Sequence, residues 1–281
     1  MRSYIKSLLI LVVAGITSCQ DVIDVSVPTA KPRLVVEASL DWEKGTTGNN
    51  QTIRLSTSAP YFDANKSQPV TGAQVKITNT DTSAEYIFTD MNNGSYNISS
   101  FVPVINDRYT LEIIYNNEMY IATETLKPVS PIKRVEQTLE GGFYDDVLAV
   151  YMFWDDPEEE ENYYLLKFIE EGDLFHELED YSDEFVNGNE LDSFFEKERD
   201  DNDDQAEFNP GDVVDLSLYG VSEAYYNYIK ILIEQYDSGG DPFSAVPVQL
   251  KGNCINITTP DNYALGYFRL SEFDTVNYTF Q

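Results

Sequence analysis

The chain has 281 residues, 42% of them hydrophobic, and carries a formal charge of -31 at pH 7, from 49 Asp and Glu against 18 Lys and Arg. Such a charge repels nucleic-acid phosphates and anionic lipid headgroups, which excludes nucleic-acid binding. The apolar fraction, with 20 Tyr and 15 Phe, is enough for a packed core, and the length predicts two domains.

At the start of the chain, Arg2 and Lys6 form a positive region, Leu8 to Ile16 an apolar run, and Thr17 and Ser18 a pair of small residues before Cys19. This is the layout of a secretory signal. The run is too short for the roughly 20 residues of a spanning helix. Ile16-Thr17-Ser18-Cys19 resembles the bacterial lipobox. The resemblance implies a signal peptide over residues 1–18, acylation of the Cys19 thiol, and a lipidated tether over 19–30. Each buried CH₂ of such a lipid contributes about 0.8 kcal/mol to anchoring. A plain signal with an incidental cysteine is the alternative. The following Gln20-Asp21-Val22-Ile23-Asp24 resembles the acidic signal that sends Bacteroidota lipoproteins to the outer face of the outer membrane. With Cys19 lipidated, Cys254 has no disulfide partner. It is expected to be a small buried strand residue, and without a second cysteine or a nearby histidine it is not a metal ligand.

Residues 31–127 are expected to form the first domain. Short β-type runs recur at 33–38, 52–56, 73–78, 84–89, 94–98, 109–115 and 118–125, with Asn116-Asn117 as a hairpin turn. Ala73, Val75 and Ile77 alternate onto one face. Short strands with turn signals between them predict a β-sandwich. Pro69 to Ile77 followed by Gly94-Ser95-Tyr96 resembles the transthyretin-like repeat, also called the carboxypeptidase regulatory domain. That resemblance implies a glycine turn into the strand, a tyrosine packed across two sheets, and a structural or interaction role.

Residues 128–281 are expected to form a second β-rich domain, after a linker bracketed by Pro128 and Pro131. Strands are predicted at 132–139, 147–154, 162–170, 213–218, 246–250, 264–270 and 276–280. Both faces of 147–154 are apolar, which predicts a central strand covered on both sides. Between Asp155 and Asp215 lie 25 of the 49 acids against only Lys167, Lys197 and Arg199. The stretch 173–211 therefore reads as a long acidic insertion, because runs of like charge favour loops. Leu191, Phe194, Phe195 and Phe208 within it mark parts that dock. Ser222 caps a helix over 222–236, with Tyr225 where a capping box would place glutamate. Ala224, Tyr228, Ile231 and Gln235 form its expected apolar stripe, flanked by Tyr225, Ile229 and Leu232. The fold class is mainly β: two sandwich-like domains, the second with one helix packed on the sheet and the acidic insertion.

Cys19 with its acids, Leu34 to Leu40, the Val70 to Ile77 strand with Gly94-Ser95-Tyr96, then Ser222 to Leu232, Asp241 to Asn253 and Leu265 to Phe268 occur in an order that resembles the Bacteroidota lipoprotein family called domain of unknown function 4249. Members are often encoded beside TonB-dependent outer-membrane receptors. The resemblance implies a surface partner role in uptake and supplies no catalytic residues. The acidic insertion departs from the common pattern.

No constellation of catalytic residues is present. His176 is the single histidine, and neither a G-x-S-x-G nor an H-E-x-x-H stretch occurs. It reads as an ordinary residue on an acidic surface. Carboxylate pairs of the kind glycosidases use arise by chance among 49 acids. Asp200, Asp201, Asp203 and Asp204 are the weak candidates for cation binding. Calcium takes six to eight oxygen ligands, but the run lacks the glycine of an EF-hand loop, so a solvated loop with dispersed calcium association is the reading. Tyr225, Tyr228 and Tyr267 read as core residues rather than a sugar or peptide platform. Asp274-Thr275-Val276 resembles the short Bacteroidota O-glycosylation motif, with Thr275 as acceptor. The expected protein is therefore a non-catalytic, cofactor-free lipoprotein of the outer membrane, lipid-anchored and facing the exterior, serving a TonB-dependent receptor. A structural or adhesive surface module is the alternative.

Overall fold

The computed structural model describes residues 31–59, 67–140, 142–143, 147–197, 207–238 and 248–281. The chain forms two units, Met1–Lys31 and Pro32–Gln281, and the elements below all belong to the second. The protein is mainly β, as the strand periodicity predicts.

The first sandwich is built from β1 (Leu34–Glu43), β2 (Gln51–Thr57), β3 (Gln74–Asn79), β4 (Glu85–Asp90), β5 (Ser95–Ile98), β6 (Arg108–Tyr115) and β7 (Glu118–Thr125). Alternation puts Leu34, Val36, Ala38 and Leu40 of β1 inside. β4 turns the corner between sheets, since its first residues pair with β3 and its last two with β5. Asn116 and Asn117 both have positive φ, 51° and 61°, the twist that a two-residue hairpin requires. Tyr96 lies across the two sheets with no exposed surface. Its hydroxyl donates to Val70 O at 3.0 Å and accepts from Ala73 N at 3.1 Å. Gly72 beside it has φ +77°, a region that a side chain rarely adopts.

The second sandwich sets a three-stranded sheet, β12-β9-β8, against four strands ordered β11-β10-β13-β15, the last being the C-terminal strand Leu265–Thr279. Here β8 is Ile132–Thr138, β9 Ala149–Asp155, β10 Tyr163–Glu170, β11 Glu177–Ser182, β12 Glu190–Phe195 and β13 Val213–Val221. Val150, Met152 and Trp154 of β9 face Tyr164, Leu166, Phe168, Leu216 and Leu218. Tyr151 and Phe153 on the other face of β9 are half-buried. The expectation that this strand is covered on both sides is thereby corrected: its sheet has a single covered face. The acidic insertion is corrected too, because β11 and β12 lie inside 173–211 and pair in register with β10 and β9. Alternating inward residues such as Leu191 and Phe195 outweigh the charge repulsion there.

Helix α1 (Glu223–Asp237) lies on the outer face of β10 and β11. Ser222 is its N-cap, accepting from Tyr225 N at 3.2 Å. Its buried stripe is Tyr225 and Ile229 with Ile233, not Ala224 and Ile231. A 3.6-residue period leaves two neighbouring stripes nearly equal, and the larger side chains take the buried one.

The C-terminal strand joins the sandwiches. The two expected strands at 264–270 and 276–280 are one, β15 (Leu265–Thr279). Its first part runs parallel to β1 and its second antiparallel to β13. Phe273 is shared, opposite Glu43 in one ladder and Tyr219 in the other. Cys254, Ala264, Phe268 and Leu270 belong to the first core, and β14 (Ile255–Asn256) pairs with β7. The expected boundary at 128 is therefore crossed: residues 254–270 complete the first sandwich. The Pro128 to Pro131 segment is pinned rather than loose, with Glu272 N donating to Lys127 O at 2.8 Å and Val129 N to Glu272 Oε2 at 3.1 Å. Val248–Leu250 are not strand; the remainder of the expected 246–250 strand lies outside the described residues. Cys254 is buried, as expected, but lies just before β14 rather than in a strand. Burial pushes its thiol up to about 12.

Candidate functional site

A groove of about 1050 Å³ opens at one end of the second sandwich, where the β10–β11 turn, the end of β12 and the last turns of α1 meet. The Glu171-Gly172-Asp173 turn, with Gly172 at φ +107°, carries Leu174 and Phe175 beyond the sheet. They have no layer to pack on there, and stand 86% and 79% exposed. The floor is aromatic. Phe168 and Phe195 stack at 5.3 Å and 16°, continuing through Phe208 to Phe280 in the core. Leu178, Leu232 and Ile233 add apolar lining, and Phe143 and Tyr236, also largely exposed, complete it. Exposed large side chains gathered in one place mark an interaction surface, whereas scattered ones do not.

Charge is arranged unevenly around this apolar floor. Asp173, Glu177, Glu196 and Asp237 line the groove with Lys197 and His176. Glu196 is 9% exposed. Its Oε1 accepts from Phe143 N at 2.7 Å, while Oε2, buried against Gly142, has no hydrogen-bond partner among the described residues. The adjacent Lys197 turns away to pair with Glu170, and its ammonium lies 4.7 Å from the centre of the Phe208 ring. The His176 imidazole is held below its ordinary pKa, first by burial and then by the charge of Lys167. It is neutral at pH 7 and adds no cation to the rim. Lys167 is lowered to about 8, first by burial and then by Arg269, and its ammonium sits 4.2 Å from the Tyr219 ring centre.

Of the residues singled out from the sequence, Cys19 and Asp200, Asp201, Asp203 and Asp204 lie outside the described residues. Thr275 is exposed on β15; its hydroxyl donates to Leu216 O at 3.1 Å and lies 3.0 Å from Ser217 Oγ. Tyr225 is buried, with Tyr267 and Tyr228 packed against it at ring distances of 5.0 and 6.1 Å, as core residues should be. The fold brings His176 to the groove, together with Phe195 and Leu232 of the expected docking and helix positions. Among the described residues, no group of three or more His, Cys, Asp or Glu could hold a metal, and no helix is long and apolar enough to cross a membrane. Glu196 was not legible among 49 acids. Its one local signal is the Phe194-Phe195-Glu196 run, a carboxylate directly after an inward-facing aromatic at a strand end.

A family model described as "Domain of unknown function (DUF4249)" matches residues 20–276. The chain belongs to this family. The match takes in the whole groove and both sandwiches up to the last residues of β15. No curated protein matches the chain. Among solved structures, it is similar to a DUF4785 family protein from Legionella pneumophila, at 11% identity and a TM-score of 0.26. That match covers 66% of this chain and 51% of the other, so the chain spans about half the length of the Legionella protein. A two-domain fibronectin type III segment of chicken tenascin is similar at 9% identity and a TM-score of 0.21, covering 67% of this chain and 90% of that one. The first three fibronectin domains of chicken CNTN1 are similar at 10% identity and a TM-score of 0.26, covering 69% and 62%.

Proposed function

We propose that this DUF4249 protein is a non-catalytic binding protein, anchored in the outer membrane of a Bacteroidota cell by lipid at Cys19 and facing the exterior, where it serves as accessory to a TonB-dependent receptor. The observation that carries a binding role is the groove, where Phe143, Phe175 and Tyr236 are exposed in the lining of an apolar floor, with the exposed Leu174 next to Phe175 in the chain. A chain with a formal charge of -31 has little cause to keep such side chains in water unless a partner covers them. The lipobox-like Ile16 to Cys19 and the acids after it support the placement.

The test is capture of partners from outer membranes in mild detergent with a tagged full chain. A receptor recovered with the wild type, and lost with the double variant Leu174→Ser and Phe175→Ser, is the expected outcome. Recovery of no receptor, or equal recovery with the variant, would remove the role. Placement is tested separately: labelled palmitate should mark the wild type and not Cys19→Ser.

A further inference from the structure

We propose that the corner of the first sandwich formed by Ile114, Met119, Ile121, Ile255 and Ile257 lies on the lipid surface, with Arg33 and Lys251 facing the lipid phosphates. This rests on the reading of Cys19 as a lipid anchor and adds how the folded body meets the membrane. None of these residues lines the groove of the second sandwich.

The ladders of β6, β7 and β14 put the five side chains together. Ile114 stands opposite Met119 and Ile121 opposite Ile255, while Ile257 N donates to Met119 O at 2.9 Å. Alternation turns all five to the outer face, since Ile113, Tyr120 and Ala122 point into the core. Ile255 and Ile257 are 64% and 54% exposed, and β14 is the last strand of its sheet. Bulky apolar side chains gathered in this way mark a surface that something covers.

The course of the chain says what covers it. The loop 257–263 carries Ile257 at one end and Asp261 and Tyr263 at the other, and Asn262 N donates to Thr259 O at 2.8 Å within it. Arg33, at the entry to the fold, holds this loop. Its Nη1 donates to Asp261 O at 3.0 Å and to Tyr263 O at 3.4 Å, and its guanidinium carbon lies 3.6 Å from the Tyr263 ring centre. Only 12 residues join Cys19 to Pro32, and they span at most ~40 Å. A lipid at Cys19 thus draws this loop to the bilayer ahead of the rest of the body. Charge agrees. Lys251 Nζ lies 4.3 Å from the same Tyr263 ring, so two cations and a tyrosine stand together, the residue types that settle at a membrane interface. Of the acids on this corner, Glu118 is engaged by Tyr120 and Asn262, and Asp261 is exposed. Residues 31–127 hold 11 Asp and Glu against 8 Lys and Arg, whereas 155–215 hold 25 against 3. The acids that repel lipid phosphates are therefore concentrated in the other sandwich.

The experiment uses the acylated full chain in vesicles of phosphatidylcholine and phosphatidylethanolamine, with a nitrobenzoxadiazole label on Ile257→Cys or, for comparison, on Phe185→Cys, which is 90% exposed in the β11–β12 turn. The label at 257 should be quenched severalfold more by doxyl-labelled phosphatidylcholine than the label at 185, and severalfold less by iodide. Lys251→Glu should lower the doxyl quenching at 257 severalfold; an unchanged signal would overturn the phosphate contact. Ile255→Cys serves if Ile257→Cys fails to fold. Equal doxyl quenching at 257 and 185, in protein that floats with the vesicles, leaves the anchor standing and overturns the contact. Protection from iodide without doxyl quenching also overturns it, marking a protein surface such as a second copy on the patch. If the wild type neither floats with the vesicles nor takes labelled palmitate, the anchor fails and the contact with it.

Discussion

Asp183 has no exposed surface, and its Oδ1 lacks a hydrogen-bond partner among the described residues, while Oδ2 accepts from Asn162 N at 2.9 Å. Burial, then the nearby Asp156, raises its pKa. Asp156 itself accepts from Tyr164 Oη at 2.6 Å and Gly188 N at 2.9 Å. A carboxyl whose folded pKa is raised stabilises the fold below its unfolded pKa, and that contribution is lost as pH rises through the folded value. Glu124 and Glu179 are shifted the same way, burial again being the first cause. The melting temperature should therefore fall from mildly acidic pH toward neutral. Asp183→Asn, which has no charge to bury, should flatten that slope and gain about 1 kcal/mol at pH 7.5, read from urea unfolding at both pH values. At Tyr96 the sign is opposite. Tyr96→Phe removes the acceptor for Ala73 N and the donor to Val70 O, and should cost about 1–3 kcal/mol in the same assay.

At the scale of elements, the start of α1 is tied to the first sandwich. Ser222 Oγ caps Tyr225 N and donates to the buried Glu124 Oε2 at 2.9 Å, which also receives the Tyr267 hydroxyl at 3.4 Å. Ser222→Ala should cost about 1 kcal/mol for the cap alone. Ser222→Asp should restore the cap yet set a second carboxylate against Glu124, so that its recovery is partial at pH 7.5. The β1–β15 ladder has a sharper requirement. Gly266 has φ +85°, and a Cβ there would lie 2.1 Å from Val36 O. Gly266→Ala must push β15 off β1, and should lower the melting temperature far more than alanine at the exposed turn glycine Gly172, where a Cβ meets nothing within 4 Å.

Over the whole molecule, one strand sets the behaviour. β15 gives Phe268 and Leu270 to the first core, and Phe280 just beyond it packs in the second. Between them, the buried Arg269 pairs with Asp41 at 2.7 Å and lies about 5 Å from the rings of Tyr219 and Tyr225. The two sandwiches should unfold in a single transition by circular dichroism and by intrinsic fluorescence. Residues 31–127 alone, lacking Cys254, Phe268 and Leu270, should show no cooperative melt. Two separated transitions would contradict the shared strand.

Local pattern determined the strands of the first sandwich, the hairpin at Asn116-Asn117 and the Ser222 cap, because each depends on neighbours a few residues apart and on a side-chain period of two or 3.6; the inward Tyr96 came from the family resemblance, and β11 and β12 were hidden by the acidic run. The charge and the DUF4249 membership were equally legible. Tertiary structure alone decided that residues 254–270 return to the first core, that β15 is one strand, and that Glu196 is buried against Gly142. A residue's partner across 200 positions is set by register and packing, and composition is blind to both. The groove exists only where four chain segments converge.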